Sequence, residues 1–136
     1  MNKGHSDTTT DGIRIRVGAQ FMPNESDAER REHAFVYRVV ITNLGGKRAR
    51  LLSRHWIIRD GDNERRDVKG PGVVGQQPNI EPGASFEYMS RCILPTDWGT
   101  MEGSYTMQRE DGSTFEAKIG RFFLARSAAP ISTIEA

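Results

Sequence analysis

The chain has 136 residues and one cysteine, Cys92, so no internal disulfide can form. No apolar run approaches the length of about 18 residues that a membrane-spanning helix needs. The first ten residues are polar and lack the apolar stretch of a secretory leader. Nineteen basic residues face eighteen acidic ones, a formal charge of +1. Without a basic excess, specific binding to a nucleic acid is not expected. Lysine is scarce, with four residues against fifteen arginines. Disorder along the whole chain is excluded, because 36% of the residues are hydrophobic and 27% charged. A cytoplasmic protein with no membrane partner and one domain of ordinary size is the expectation.

What the chain does have is alternation of apolar and polar residues, with no helical period. Ile13-Arg14-Ile15-Arg16-Val17 places apolar side chains on every second position, as a half-buried strand requires. The charged run 24–32 carries no apolar stripe and reads as a solvated loop. Strands are expected at 35–41 and 50–59, then at 64–69 after the turn Asp60-Gly61-Asp62-Asn63. A glycine- and proline-marked loop covers 70–83. Further strands are expected at 84–94, around Tyr105 and Met107, and at 115–124. Seven strands separated by turn signals predict an all-β, antiparallel two-sheet sandwich of the immunoglobulin or fibronectin type III kind, with a closed barrel as the alternative. The lone cysteine rules out the paired-cysteine bridge of true immunoglobulin domains, which favours the fibronectin-like form. Trp56 is expected in the core. The domain spans 12–126, with flexible tails at 1–11 and 127–136.

Gly70-Pro71-Gly72-Val73-Val74-Gly75 fits the G-x-G-x-x-G pattern. The dinucleotide-binding form of that pattern needs an apolar strand before it and a helix after it. Residues 64–69 are too polar, and Pro78 and Pro82 forbid the helix. Glycine-rich turns can still offer backbone N–H groups to an anion. Gly70, Gly72 and Gly75, with Arg65, Arg66 and Lys69 upstream, therefore form a candidate phosphate or pyrophosphate site. Asp60-Gly61-Asp62 begins like a calcium loop, but the sixth and twelfth positions are Arg65 and Pro71 instead of glycine and glutamate. His5, His33, His55 and Cys92 share no ligand spacing, so no metal site is expected. Cys92 with His55 lacks an orienting third group, and no catalytic residues are assigned. Along 50–59, Leu52, Trp56 and Ile58 share one phase while Leu51 and Ile57 share the other. Apolar residues in both phases imply that either a long loop or a partner covers the second face. Leu51, Ile57 and His55 are the candidate interaction surface, for a protein partner or a homodimer.

Three blocks, 51–61, 68–78 and 94–105, resemble in order and spacing the signature of the bacterial ApaG family. They read Leu-Leu-Ser-Arg-His-Trp-Ile-Ile-Arg-Asp-Gly, Val-Lys-Gly-Pro-Gly-Val-Val-Gly-Gln-Gln-Pro and Leu-Pro-Thr-Asp-Trp-Gly-Thr-Met-Glu-Gly-Ser-Tyr. The chain departs from the family pattern at Arg91, where glycine is usual, and at Gly120, where proline is usual. The resemblance implies a fibronectin type III-like sandwich without known catalytic residues or cofactors. It also implies an association with cobalt resistance and magnesium efflux, and a suggested nucleotide-binding role for Gly70, Gly72 and Gly75. The expected function is a non-enzymatic interaction module, with anion binding at the glycine loop as the alternative.

Overall fold

A computed structural model describes residues 4–126. Its elements are β1 (His5–Thr10), β2 (Ile13–Phe21), a 3-10 turn at Pro23–Glu25, β3 (His33–Asn43), β4 (Ala49–Asp60), β5 (Arg65–Pro71), β6 (Asn79–Ile80), β7 (Ser85–Leu94), β8 (Trp98–Arg109) and β9 (Thr114–Ala125). Two antiparallel sheets form, ordered β1-β2-β3-β7 and β5-β4-β8-β9, with β6 paired to the start of β4. The expected two-sheet sandwich is the fold. Among the described residues no helix is long and apolar enough to cross a membrane.

The alternation in sequence becomes the inner face of each sheet. Ile13, Ile15, Val17, Phe35, Tyr37, Val39 and Ile41 from the first sheet meet Leu51, Trp56, Ile58, Met101, Tyr105, Ile119, Phe122 and Leu124 from the second. Trp56 is 2% exposed, as the sequence predicts. Its ring lies edge-on to Tyr37, Tyr105 and Phe122, with centroids 5.3, 6.3 and 6.0 Å away. Such edge-to-face contacts add to the burial of the ring itself.

The segment 1–11, expected to be a flexible tail, holds a strand along most of its described length. His5–Thr10 pairs with β2 residue for residue, from His5 opposite Gly18 to Thr10 opposite Ile13. The cause is local. Asp11 and Gly12 both have positive φ, 47° and 84°, which is the geometry of a tight hairpin turn. Asp7 then receives two hydrogen bonds from Arg14 across the pair, at 2.9 and 2.6 Å. The C-terminal tail expected at 127–136 lies outside the described residues.

The strands from 5 to 10 and 79 to 80 were absent from the expected seven, and β8 begins at Trp98 within the stretch read as a connection. The two sheets are joined closely along one side, where β9 packs against β1 and β2. The opposite side, between the end strands β5 and β7, is the open side of the sandwich.

Candidate functional site

The glycine motif is built around a two-residue hairpin. Val73 and Gln76 exchange N–H···O bonds of 2.8 Å in both directions, and the central Val74 and Gly75 have φ of 43° and 78°. These values identify a type I′ turn. Gly72, at φ 59°, anchors the hairpin by donating its N–H to the Leu52 carbonyl at 2.8 Å. A side chain on Gly72 would lie 2.2 Å from the Gln76 carbonyl oxygen, so this position needs glycine. Gly70 serves a different purpose. It lies opposite Arg54 in the β4–β5 ladder, and a Cβ there would be 3.2 Å from the Arg54 guanidinium. Arg54 lies over this bare stretch of backbone and donates through Nη1 to the carbonyls of Pro71 and Gly72, each at 3.0 Å.

Within the loop 72–75, the amides of Gly72 and Val73 are therefore spent on internal bonds. The basic residues of the expected site are also dispersed. Arg65 is bound to Asp67 at 2.7 and 2.9 Å. Arg66 reaches toward the Cys92 sulfur at 3.8 Å. They lie at the start of β5, seven and six residues from Gly72, or about 20 Å along the strand. Lys69 is closer, opposite His55 in the ladder. The structure thus gathers Gly70, Gly72 and Gly75 and separates them from Arg65 and Arg66. The guanidinium it sets beside the loop belongs to Arg54.

Arg54, Tyr37, Trp56, Tyr88, Ser90 and the hairpin residues Val73–Gly75 line a cavity of about 240 Å³ on the open side. Deeper in, Tyr88 and Tyr105 share a hydrogen bond of 2.5 Å between hydroxyls. Burial is the main cause that raises the Tyr37 and Tyr88 phenols above their ordinary range, so both stay neutral donors. Val74, at the hairpin tip, is 52% exposed. The floor is aromatic, the wall carries one cation, and the rim is a rigid turn with an apolar tip. Such a groove suits binding. Reasoning from sequence missed Arg54, Tyr37, Tyr88 and Ser90, because they come from three strands that only tertiary packing brings together.

The interaction surface read from β4 is corrected in part. Leu51 is fully buried. A β-bulge between Leu51 and Ser53 inserts one residue into the ladder with β8. Leu51 and Trp56, out of phase in the sequence, therefore both face the core. Only Ile57 and His55 lie on the outer face. Ile57 stands between the opposing Asp67 and Glu102, so no apolar patch forms there. His55 Nε2 is 2.7 Å from Asp67 Oδ2. The Arg65 and His55 contacts hold the Asp67 carboxyl well below the usual carboxylate range.

Cys92 is 5% exposed, and burial pushes its thiol up to about 11. A thiol held protonated in this way is a packing group. Among the described residues, no three histidine, cysteine or carboxylate side chains come together to hold a metal.

The fold is an antiparallel two-sheet β-sandwich with a groove on its open side. The ApaG domain profile matches residues 23–109, and the chain belongs to the ApaG domain family. It is 48% identical to Protein ApaG of Dechloromonas aromatica over 124 residues, which are 91% of this chain and 98% of that protein. It is 46% identical to Protein ApaG of Bordetella pertussis over 113 residues, 83% of this chain and 86% of the relative. A crystal structure of a Bordetella pertussis protein labelled ApaA superposes with a TM-score of 0.82 at 42% identity, covering 95% of this chain and all of that one. The C-terminal domain of wzt, at 10% identity and a TM-score of 0.51, shares the fold alone.

Proposed function

We propose that the protein is a non-enzymatic binding module that engages a protein partner through the open β5–β7 side. The observation that carries this reading is the hairpin 72–76, with its exposed Val74 set over an aromatic groove braced by Arg54. A rigid turn loses little conformational entropy on binding, so it is suited to docking. Any role in cobalt resistance or magnesium efflux would then pass through the partner. A photo-crosslinking side chain at position 74 tests this. Capture of one defined protein from native lysate, lost with Trp56 intact but Arg54→Ala, is the expected result. Equal capture from a control position on the outer face of β9, such as Lys118, would reject it.

Arg54 favours one second reading, in which the groove takes a phosphate or pyrophosphate. The free donors would be the Val74 and Gly75 amides and the remaining Arg54 N–H groups. Pyrophosphate titration followed by amide shifts distinguishes the two. Shifts confined to residue 54 and 72–76 favour this second reading. Shifts at Arg48, Arg50 and Arg109, which line a separate basic groove, would place the anion elsewhere.

A further inference from the structure

β7 ends its sheet. It pairs with β3 from His33 opposite Leu94 to Thr42 opposite Ser85, and among the described residues no strand lies on its other side. The phase of its hydrogen bonds follows from two contacts. The Asn43 N–H donates to the Ala84 carbonyl at 3.0 Å, continuing the β3–β7 register. The Met22 N–H donates to the Ala34 carbonyl at 2.9 Å, continuing the β2–β3 register. Odd-numbered β3 residues therefore bond to β7, and even-numbered ones to β2. Within β7, the even residues 86–94 bond inward. Ser85, Glu87, Met89, Arg91 and Ile93 point their N–H and C=O groups away from the sheet.

The same five residues carry side chains on the outer face. Met89 is 52% exposed and Ile93 51%. Their order is self-complementary. Reversed about Met89, the strand sets Glu87 opposite Arg91 and Met89 opposite itself. All five positions then fall in the hydrogen-bonded phase. Opposite charges directly across an antiparallel pair stabilise it, and like charges would oppose it. Glu87 already holds Arg38 and Arg91 already holds Glu25, so each pairing across the junction would extend an existing ion pair.

We infer that β7 pairs with β7 of a second copy of this chain, antiparallel about a two-fold axis at Met89, joining two four-stranded sheets into one. An exposed strand of ten residues is a ready template for such pairing, and a two-fold contact closes on itself. Three substitutions and one mass measurement test the inference. Sedimentation equilibrium should show a concentration-dependent dimer. Met89→Pro removes an outward N–H without taking a bond from β3, so the fold should persist. The dimer should weaken at least tenfold. Met89→Cys brings two thiols together across the axis, with Cα atoms about 5.5 Å apart, within disulfide range. It should cross-link quickly under mild oxidation. Ile93→Cys lies about 26 Å from its symmetry mate and should not. A wild-type chain that stays monomeric at millimolar concentration overturns the inference. So does a dimer unchanged by Met89→Pro, or cross-linking as fast at position 93 as at 89.

Discussion

Trp56 is the residue on which the two sheets converge. It is packed among Tyr37, Tyr105 and Phe122, one from the facing sheet and two from its own. Trp56→Ala would open a large cavity that three aromatic neighbours cannot collapse into. The expected loss is about 3–5 kcal/mol, measurable by chemical denaturation. The Tyr88–Tyr105 pair gives a subtler case. Tyr88→Phe keeps the ring but leaves the fully buried Tyr105 hydroxyl without its partner. That change should cost about 1–3 kcal/mol, although only one oxygen is removed. A loss confined to a few tenths would show that Tyr105 finds another acceptor.

At the scale of elements, the hairpin 72–76 and the β1–β9 contact both turn on glycine. Gly72 and Gly75 share positive φ, but only Gly72 has a neighbour where a Cβ would go. Gly75→Ala should therefore cost about 1 kcal/mol of backbone strain. Gly72→Ala adds a clash with a main-chain oxygen and should cost roughly twice as much or more. Equal losses in thermal denaturation would contradict the geometry. On β9, a Cβ at Gly120 would lie 2.5 Å from Thr8 Oγ1 on β1. Gly120→Val should push β1 away and expose the amides of residues 6–10 to rapid hydrogen exchange, while β3 stays protected.

Across the whole molecule, one long side is clasped by β1 and β9 and the other is left open. Surface charge adds a pH dependence to stability. Asp67 is depressed below its ordinary value of 3.8, chiefly by the Arg65 hydrogen bonds and then by His55. A carboxylate with a lowered folded pKa contributes stability that is fully present above 3.8 and is lost as pH falls toward the folded value. Asp7, bound to Arg14, acts in the same direction. Stability should thus decline below about pH 4. Asp67→Asn should flatten part of that decline. Urea denaturation midpoints from pH 2 to 7 would show it, and an unaltered acid limb would remove Asp67 as a contributor.

The amino-acid sequence by itself determined the sandwich. Alternation at Ile13, Ile15 and Val17, the β-branched run at 35–41 and the turns at 60–63 and 111–112 act over a few residues, and strands read from local pattern were found where expected. β1 was also legible in principle, since Thr10-Asp11-Gly12-Ile13 carries a hairpin signal that its polar neighbours masked. Tertiary structure alone decided the rest. The bulge after Leu51 reversed the phase of half of β4, because a single inserted residue exchanges inside for outside. Ladder pairing placed Arg54 over Gly70 and left Arg65 and Arg66 at the far end of β5, because cross-strand neighbours depend on register and not on distance along the chain.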